Sequence, residues 1–294
     1  MKVLRGKKAL VTGAASGIGR SIALALAREG VDLYLVDIKE DVIDAVAHEA
    51  RRHGIEVRTA TCDLARPEQI TAVAESVLAA WGRLNILVNN AGIAHRGPTH
   101  EMTADQWNQL LAVNLMAPIQ LVCEFLPSLQ SNEAHILNVC SIFGLVSTRK
   151  AAAYQTSKFG LVGLSAALRA EYGSSRFGVT ALCPGFVHTP LVDELDTREA
   201  KKLPPQWMFA ELDTVAAAAI RAIRRNKGVV VVTPMMHALW LLGRLSPTFV
   251  DWLNRRGWRA FGWRMLHPSN GTLFLTPSVA LDFRELCKLV SLAV

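Results

Sequence analysis

The chain has 294 residues, 51% of them apolar, and a formal net charge of +7; this supplies one buried core plus a small appendage. The five cysteines (62, 123, 140, 183, 287) are odd in number and scattered, which excludes a disulfide framework and a Cys-based metal site, so a reducing, cytoplasmic setting and no metal are expected. No run of 18 apolar residues suggests a bilayer span, Met1 to Gly6 leave no room for a signal peptide before the first strand, and no basic-aromatic array suits nucleic acid as a partner.

Residues 8 to 37 read as one βαβ unit. Lys8 to Thr12 is a short apolar strand, Gly13-Ala14-Ala15-Ser16-Gly17-Ile18-Gly19 opens an apolar-periodic helix over 17–29, and Val31 to Asp37 is a second strand. Glycines between a strand and a helix let the backbone approach a pyrophosphate, and the helix N-terminus supplies N–H groups and a positive dipole end. Asp37 stands twenty residues after Gly17, where a carboxylate binds the adenosine ribose hydroxyls. It would also repel a 2′-phosphate, and Ser16 and Ile38 bring no cation to offset that repulsion. NAD is therefore expected in preference to NADP.

Further strands are predicted near 57–62, 85–89, 134–140, 178–183 and 228–232. They alternate with helices near 39–53, 67–81, 103–130, 154–173 and 212–226. This alternation predicts an α/β fold, a Rossmann-like doubly wound parallel sheet of about seven strands with helices on both faces. Pro118 and Pro127 are expected to bend the 103–130 helix or mark its end. Gly13, Asp37, Asp63, Asn90, Ser141 and Gly185 each fall at or just after the carboxyl end of a strand, where such sheets bind ligands. Cys62, Cys140 and Cys183 lie inside apolar strand patterns and are expected to pack in the core.

Tyr154 and Lys158 are four residues apart, thirteen residues after Ser141. On a helix, positions i and i+4 share one face. An ammonium beside a phenol favours the phenolate, so a tyrosine tuned down from about 10 could exchange a proton with an alcohol near neutral pH.

These ordered motifs resemble the short-chain dehydrogenase/reductase family in its common form of about 250 residues. The match runs over about residues 5 to 233: Thr12 to Gly19, Cys62-Asp63-Leu64, Asn89-Asn90-Ala91-Gly92, Val113-Asn114-Leu115, Ser141, Tyr154, Lys158 and Pro184-Gly185-Phe186-Val187-His188-Thr189. The resemblance implies a catalytic tetrad of Asn114, Ser141, Tyr154 and Lys158. Tyr154 would be the general acid/base, Ser141 would hold the substrate oxygen, and Lys158 would lower the tyrosine pKa and bind the nicotinamide ribose. Asn114 would hold a water in a proton relay. The implied cofactor contacts are Gly13, Ala15, Ser16, Gly17, Ile18 and Gly19; Asp37 and Ile38; Asp63 and Leu64 at the adenine; Asn90, Ala91 and Gly92; Val113; Tyr154 and Lys158; and Pro184, Gly185, Val187 and Thr189 around the nicotinamide. Helices near 103–130 and 154–173 would pack against a second subunit in a homodimer or homotetramer.

Residues 191–211 carry Leu191, Leu195, Leu203, Pro204, Pro205, Trp207, Met208 and Phe209, and Phe143 and Phe186 flank the catalytic residues. They either shape a lipophilic substrate pocket or pack on the core. His95 and His188 are further candidates to reach that pocket. Residues 234–294 lie outside the resemblance and form a basic, aromatic extension. Residues 235–265 interleave Trp240, Trp252, Trp258 and Trp263 with five arginines; they suit a peripheral membrane interface, or else a cap on the substrate site or a partner. A helix from about Pro247 would put Phe249, Val250, Trp252 and Leu253 on one face. Residues 269–294 match no pattern.

The reading is a 1–233 dehydrogenase domain that transfers a hydride between NAD(H) and a small-molecule alcohol or ketone, expected to be lipophilic. Two alternatives stand beside it: a catalytically silent NAD(P)-binding regulator on the same fold, and an isomerase or dehydratase that retains its nicotinamide.

Overall fold

The computed structural model describes residues 1–189 and 208–256. The chain divides into two compact units, Met1–Thr233 and Pro234–Val294.

In the first unit, seven strands form one sheet: β1 (Lys8–Thr12), β2 (Asp32–Asp37), β3 (Val57–Thr61), β4 (Ile86–Asn89), β5 (Ala134–Val139), β6 (Phe177–Cys183) and β9 (Val229–Val231). Their order is β3-β2-β1-β4-β5-β6-β9, and every pairing is parallel. The direction of winding reverses between β1 and β4, the place where such sheets open a ligand crevice.

Period-2 alternation sends strand side chains to two separate cores. Ala9, Val11, Leu33, Leu35, Val88 and Val139 face α1 (Gly17–Arg28), α2 (Glu40–Arg51) and α7 (Leu212–Arg225). Leu10, Tyr34, Val36, Leu87, Ile136 and Val179 face α3 (Pro67–Trp81), α5 (Ala117–Gln130) and α6 (Ala152–Tyr172). Cys62, Cys140 and Cys183 are buried and Cys123 is exposed.

The 103–130 segment is not one regular helix. α4 (Ala104–Leu111) runs into a π-helical turn, Ala112–Met116, and on into α5. Thr103 starts it with a capping box to Gln106. Pro118 sits in the first turn of α5, where a missing N–H costs nothing, and Pro127 lies inside the helix. Ala104–Gln130 is the one helix among the described residues long and apolar enough to cross a bilayer. Its Leu121, Val122, Phe125 and Leu129 are spent on the core beside α3.

A second, two-stranded sheet, β7 (Phe186–Val187) with β8 (Phe209–Ala210), was not predicted; two residues are too few to show alternation. The second unit contributes α8 (Pro234–Leu245) and α9 (Pro247–Arg256). The predicted lid residues 190–207, the side chains of Phe249, Trp252 and Leu253, and the segment from 257 onward lie outside the described residues.

Candidate active site

The glycine loop between β1 and α1 is clamped by the end of β4. The Thr12 hydroxyl accepts the amides of Asn90 (3.0 Å) and Ala91 (3.1 Å) and itself reaches the Val88 carbonyl (3.3 Å). The Asn90 side-chain amide donates to the carbonyls of Thr12 (2.9 Å) and Gly13 (3.0 Å). Gly13 takes φ +63°, a conformation that favours glycine. A Cβ on Gly19 would stand 2.0 Å from the Gly13 carbonyl oxygen. Ser16 precedes α1 in an extended conformation and makes no side-chain cap. The helix end is thus left to an external anion. Ile18 packs against the core.

Asp37 ends β2 beside this loop. Its carboxylate accepts the Ala15 amide (2.9 Å) and the Lys39 amide (3.1 Å), and Ile38 is exposed. Asp63 follows β3. Its carboxylate accepts the Ala65 amide (3.0 Å) and pairs with Arg66 (3.6 Å), while its own amide donates to Gln69 (2.7 Å). Leu64 is buried.

Ser141 ends β5 and opens a short 3₁₀ turn, Ile142–Gly144, whose Phe143 amide donates to the serine oxygen (3.1 Å). A Cβ on Gly144 would stand 2.6 Å from the Lys158 carbonyl oxygen. That close approach seats the turn on α6 and brings Ser141 near Tyr154. Lys158 is buried, donates to the Val139 carbonyl (2.9 Å), and lies 5.7 Å from the Tyr154 ring centre. Tyr154 keeps part of its surface open, yet the protein packed round it is enough to desolvate a phenolate. Burial pushes its pKa up to about 12, against the downward pull of the Ser141 hydrogen bond. Burial likewise lowers Lys158. The expected depression of the phenol by the Lys158 ammonium is therefore corrected: burial raises Tyr154 in this geometry.

Asn114 lies in the π-helical turn and is fully buried. Its side chain both donates to and accepts from the Ile93 backbone (2.8 Å each) and reaches Ser157 (3.2 Å). Its amide thus holds the 90–93 turn. Gly92 passes between it and Lys158: a Cβ there would lie 3.3 Å from the Asn114 oxygen and 3.6 Å from the lysine nitrogen. Val113, beside it, is half-buried.

The Pro184 carbonyl accepts the Ile142 amide (2.8 Å), which ties the segment after β6 to the Ser141 turn. Val187 is buried in the core and Thr189 is half-buried. Phe143 meets Phe186 edge-on (5.8 Å), Phe186 meets Phe209 (5.8 Å), and His188 stacks flat on Phe209 (4.1 Å). Thr12 and Ser157 were missed from the sequence as site residues. Thr12 was detectable as a hydroxyl in an otherwise apolar strand; Ser157 had no such signal.

Residues 7–200 match the profile of the short chain dehydrogenase family. The D-threitol dehydrogenase of Mycolicibacterium smegmatis is 38% identical over 223 residues, covering 74% of this chain and 85% of the relative. The cyclohexanol dehydrogenase of an Acinetobacter species is 32% identical over 212 residues, covering 71% of this chain and 84% of the relative. A short-chain dehydrogenase/reductase from Burkholderia phymatum, solved in complex with NAD, superposes with a TM-score of 0.75 at 27% identity, covering 85% of this chain and 96% of that one. The clamped glycine loop, the ordered parallel sheet and these matches agree: the chain belongs to the short-chain dehydrogenase/reductase family, NAD(P)-dependent oxidoreductases of CH–OH groups.

Proposed function

We propose that this chain is an NAD(H)-dependent dehydrogenase/reductase of lipophilic alcohols or ketones, with Tyr154 as its general acid/base. The observation that carries the reading is the convergence of Ser141, Tyr154 and Lys158 at the carboxyl end of β5. The unblocked start of α1 and the carboxylate of Asp37 fit the two ends of a dinucleotide. Gly13 to Gly19, Asp37, Asp63, Asn90 to Gly92 and the Pro184 to Thr189 segment would hold it. When bound, the nicotinamide supplies the hydride chemistry. Ser141 holds the substrate oxygen beside the phenol. Tyr154, kept neutral by burial, gives its proton to a carbonyl oxygen; in the other direction its phenolate takes the proton of the alcohol. Lys158 offsets the anion left on the tyrosine. Asn114 keeps the 90–93 turn, and with it Gly92, in place against Lys158.

A lipophilic substrate is favoured by the cluster of Phe143, two residues after Ser141, with Phe186 and Phe209. The cyclohexanol dehydrogenase among the relatives supports the same preference. The test is turnover of cyclohexanol and related alcohols with NAD, followed by reduced-cofactor absorbance. Tyr154→Phe should lower kcat by about 10²–10⁴-fold with NADH affinity within about twofold of wild type. Near-normal turnover in the variant would sink the assignment.

A further inference from the structure

Two buried thiols lie beneath the proposed catalytic residues. β5 and β6 are paired in register as far as Val139↔Leu182, and the Cys140 amide continues the ladder by donating to the Leu182 carbonyl (2.7 Å). Cys140 and Cys183 are therefore lateral neighbours on adjacent strands. Both pack on the α6 side with Leu161 and Ala181. Both are free thiols. Adjacent strands lie about 4.8 Å apart, inside the roughly 4.4–6.8 Å Cα separation a disulfide accepts. Lys158 donates to the carbonyl of Val139, the residue before Cys140 (2.9 Å), so the pair sits one residue along the strand from a proton-handling group.

We propose that Cys140 and Cys183 form a reversible disulfide that turns the site off under sustained exposure to a hydroperoxide. A hydroperoxide oxidises one thiol to the sulfenic acid and leaves as the alcohol, or as water from hydrogen peroxide. The second thiol then attacks that sulfur, its proton and the departing hydroxide leave as water, and the S–S bond forms. The dithiol loses two electrons and the peroxide gains them. Exchange with an external dithiol reverses the step.

The bond acts on the site through its chain neighbours. Cys140 immediately precedes Ser141, and Cys183 immediately precedes Pro184, whose carbonyl anchors Ile142 (2.8 Å). Joining the sulfurs removes the Cys183 contact to the Ala181 carbonyl (3.8 Å) and draws the two strand ends together. Ser141 moves with them, away from Tyr154. A bridge between neighbouring strands departs from relaxed disulfide geometry, which makes it easier to reduce. Burial holds the Cys183 thiol well above its ordinary pKa, so the pair reacts slowly. Exposed Cys123 is the natural fast comparator.

For its effect on turnover the proposal rests on the catalytic reading of Tyr154; the cross-link itself does not. The full chain carrying Cys123→Ser and Cys287→Ser is incubated with hydrogen peroxide. Peptide mapping by mass spectrometry then quantifies the Cys140–Cys183 cross-link, and cyclohexanol oxidation with NAD is followed in parallel. The expected result is a loss of activity of about 10²-fold, the size of effect produced by a small misplacement of a reacting group. It should track the cross-link and return with dithiothreitol. Adding Cys183→Ala should abolish both, each protein being normalised to its own untreated rate; Cys140→Ser replaces it if that variant does not fold. The idea is overturned if no cross-link forms in the folded protein. It is overturned equally if activity survives full cross-linking, or if the Cys183→Ala protein is inactivated at the same rate. Should no alcohol be turned over at all, cross-link yield with and without NADH still decides whether the disulfide forms.

Discussion

Asp37 shows how one side chain can select a cofactor. Two backbone amides, from Ala15 and Lys39, hold its carboxylate at the end of β2. A second negative group placed there meets a fixed charge, and like charges in contact cost several kcal/mol. Asp37→Ala should raise the NADP-to-NAD ratio of kcat/KM by about tenfold or more. An unchanged ratio, measured on a single substrate, would remove Asp37 from the explanation. His135 shows a different consequence of burial. The Thr180 hydroxyl donates to the Lys227 carbonyl, so it accepts from His135 Nε2 (2.8 Å). His135 Nδ1 has no partner among the described residues, and protonating it would bury an unmatched N–H. Burial, with the N-terminus and Arg169 adding to it, pushes the pKa down to about 3. The unfolded chain binds this proton near pH 6.5 and the folded chain does not. The neutral imidazole therefore contributes stability above that pH, and the contribution is lost as pH falls toward 3. The slope is about 1.4 kcal/mol per pH unit. Urea unfolding of wild type and His135→Gln should diverge between pH 7 and pH 5 by about 2 kcal/mol. Parallel curves would show that another group titrates.

The secondary elements followed from periodicity wherever it was strong. The seven main strands of the first unit stand within two residues of their predicted places, as do its helices except for the 103–130 one, which divides in two; the central strands are buried on both faces and each helix presents one apolar stripe. Glycine loop, Asp37 and Ser141 could be placed because they sit at strand ends. What the sequence hid was irregular backbone. The π-helical turn at Ala112–Met116 carries no proline or glycine; it arises where Asn114 trades a regular helical position for the Ile93 backbone. The electrostatic state of Tyr154 was equally hidden, since spacing gives the neighbour but not the desolvation. The glycine loop also makes a quantitative forecast. A Cβ at Gly19 would collide with backbone at Gly13, which no side-chain rotation can relieve. Gly19→Ala should weaken NADH binding by about tenfold or more, roughly 1.4 kcal/mol, in a fluorescence titration. Retained affinity would mean the loop has slack that the geometry does not suggest.

We propose that the assembled protein is a homodimer or homotetramer, and that the second unit makes peripheral contact with an anionic membrane surface from a cytoplasmic location. Met116 and Phe159 are large apolar side chains left exposed on the long helices, and they support the first idea. In the second unit Arg244 lies over the Trp240 ring (5.6 Å), His237 meets the same ring edge-on (5.3 Å), and Leu245 is 83% exposed. Arginine held on tryptophan beside an exposed leucine suits a headgroup boundary. Cutting the chain after Thr233 should leave the subunit number seen by light scattering unchanged and abolish sedimentation with phosphatidylserine vesicles. A truncated protein that still sediments would place the contact elsewhere. One that becomes monomeric would place the subunit contact in the second unit, and one that keeps its lipid binding but loses turnover would make that unit a cap.

The strand order also sets the timing of synthesis. Leu10 lies between Tyr34 on one side and Leu87 on the other. As the chain leaves the ribosome, β1, β2 and β3 can assemble with α1 and α2, but the other edge of β1 waits for β4, which begins 25 residues after β3 ends, roughly one to five seconds at about 5–20 residues per second. Throughout that interval a fully apolar strand edge and half of a two-faced core stand open to water. Such an edge is a template for pairing with other chains. The arrangement that opens a dinucleotide crevice in the finished enzyme therefore also gives its nascent form a window of aggregation, which slower translation widens and a holdase bound before β4 emerges would cover.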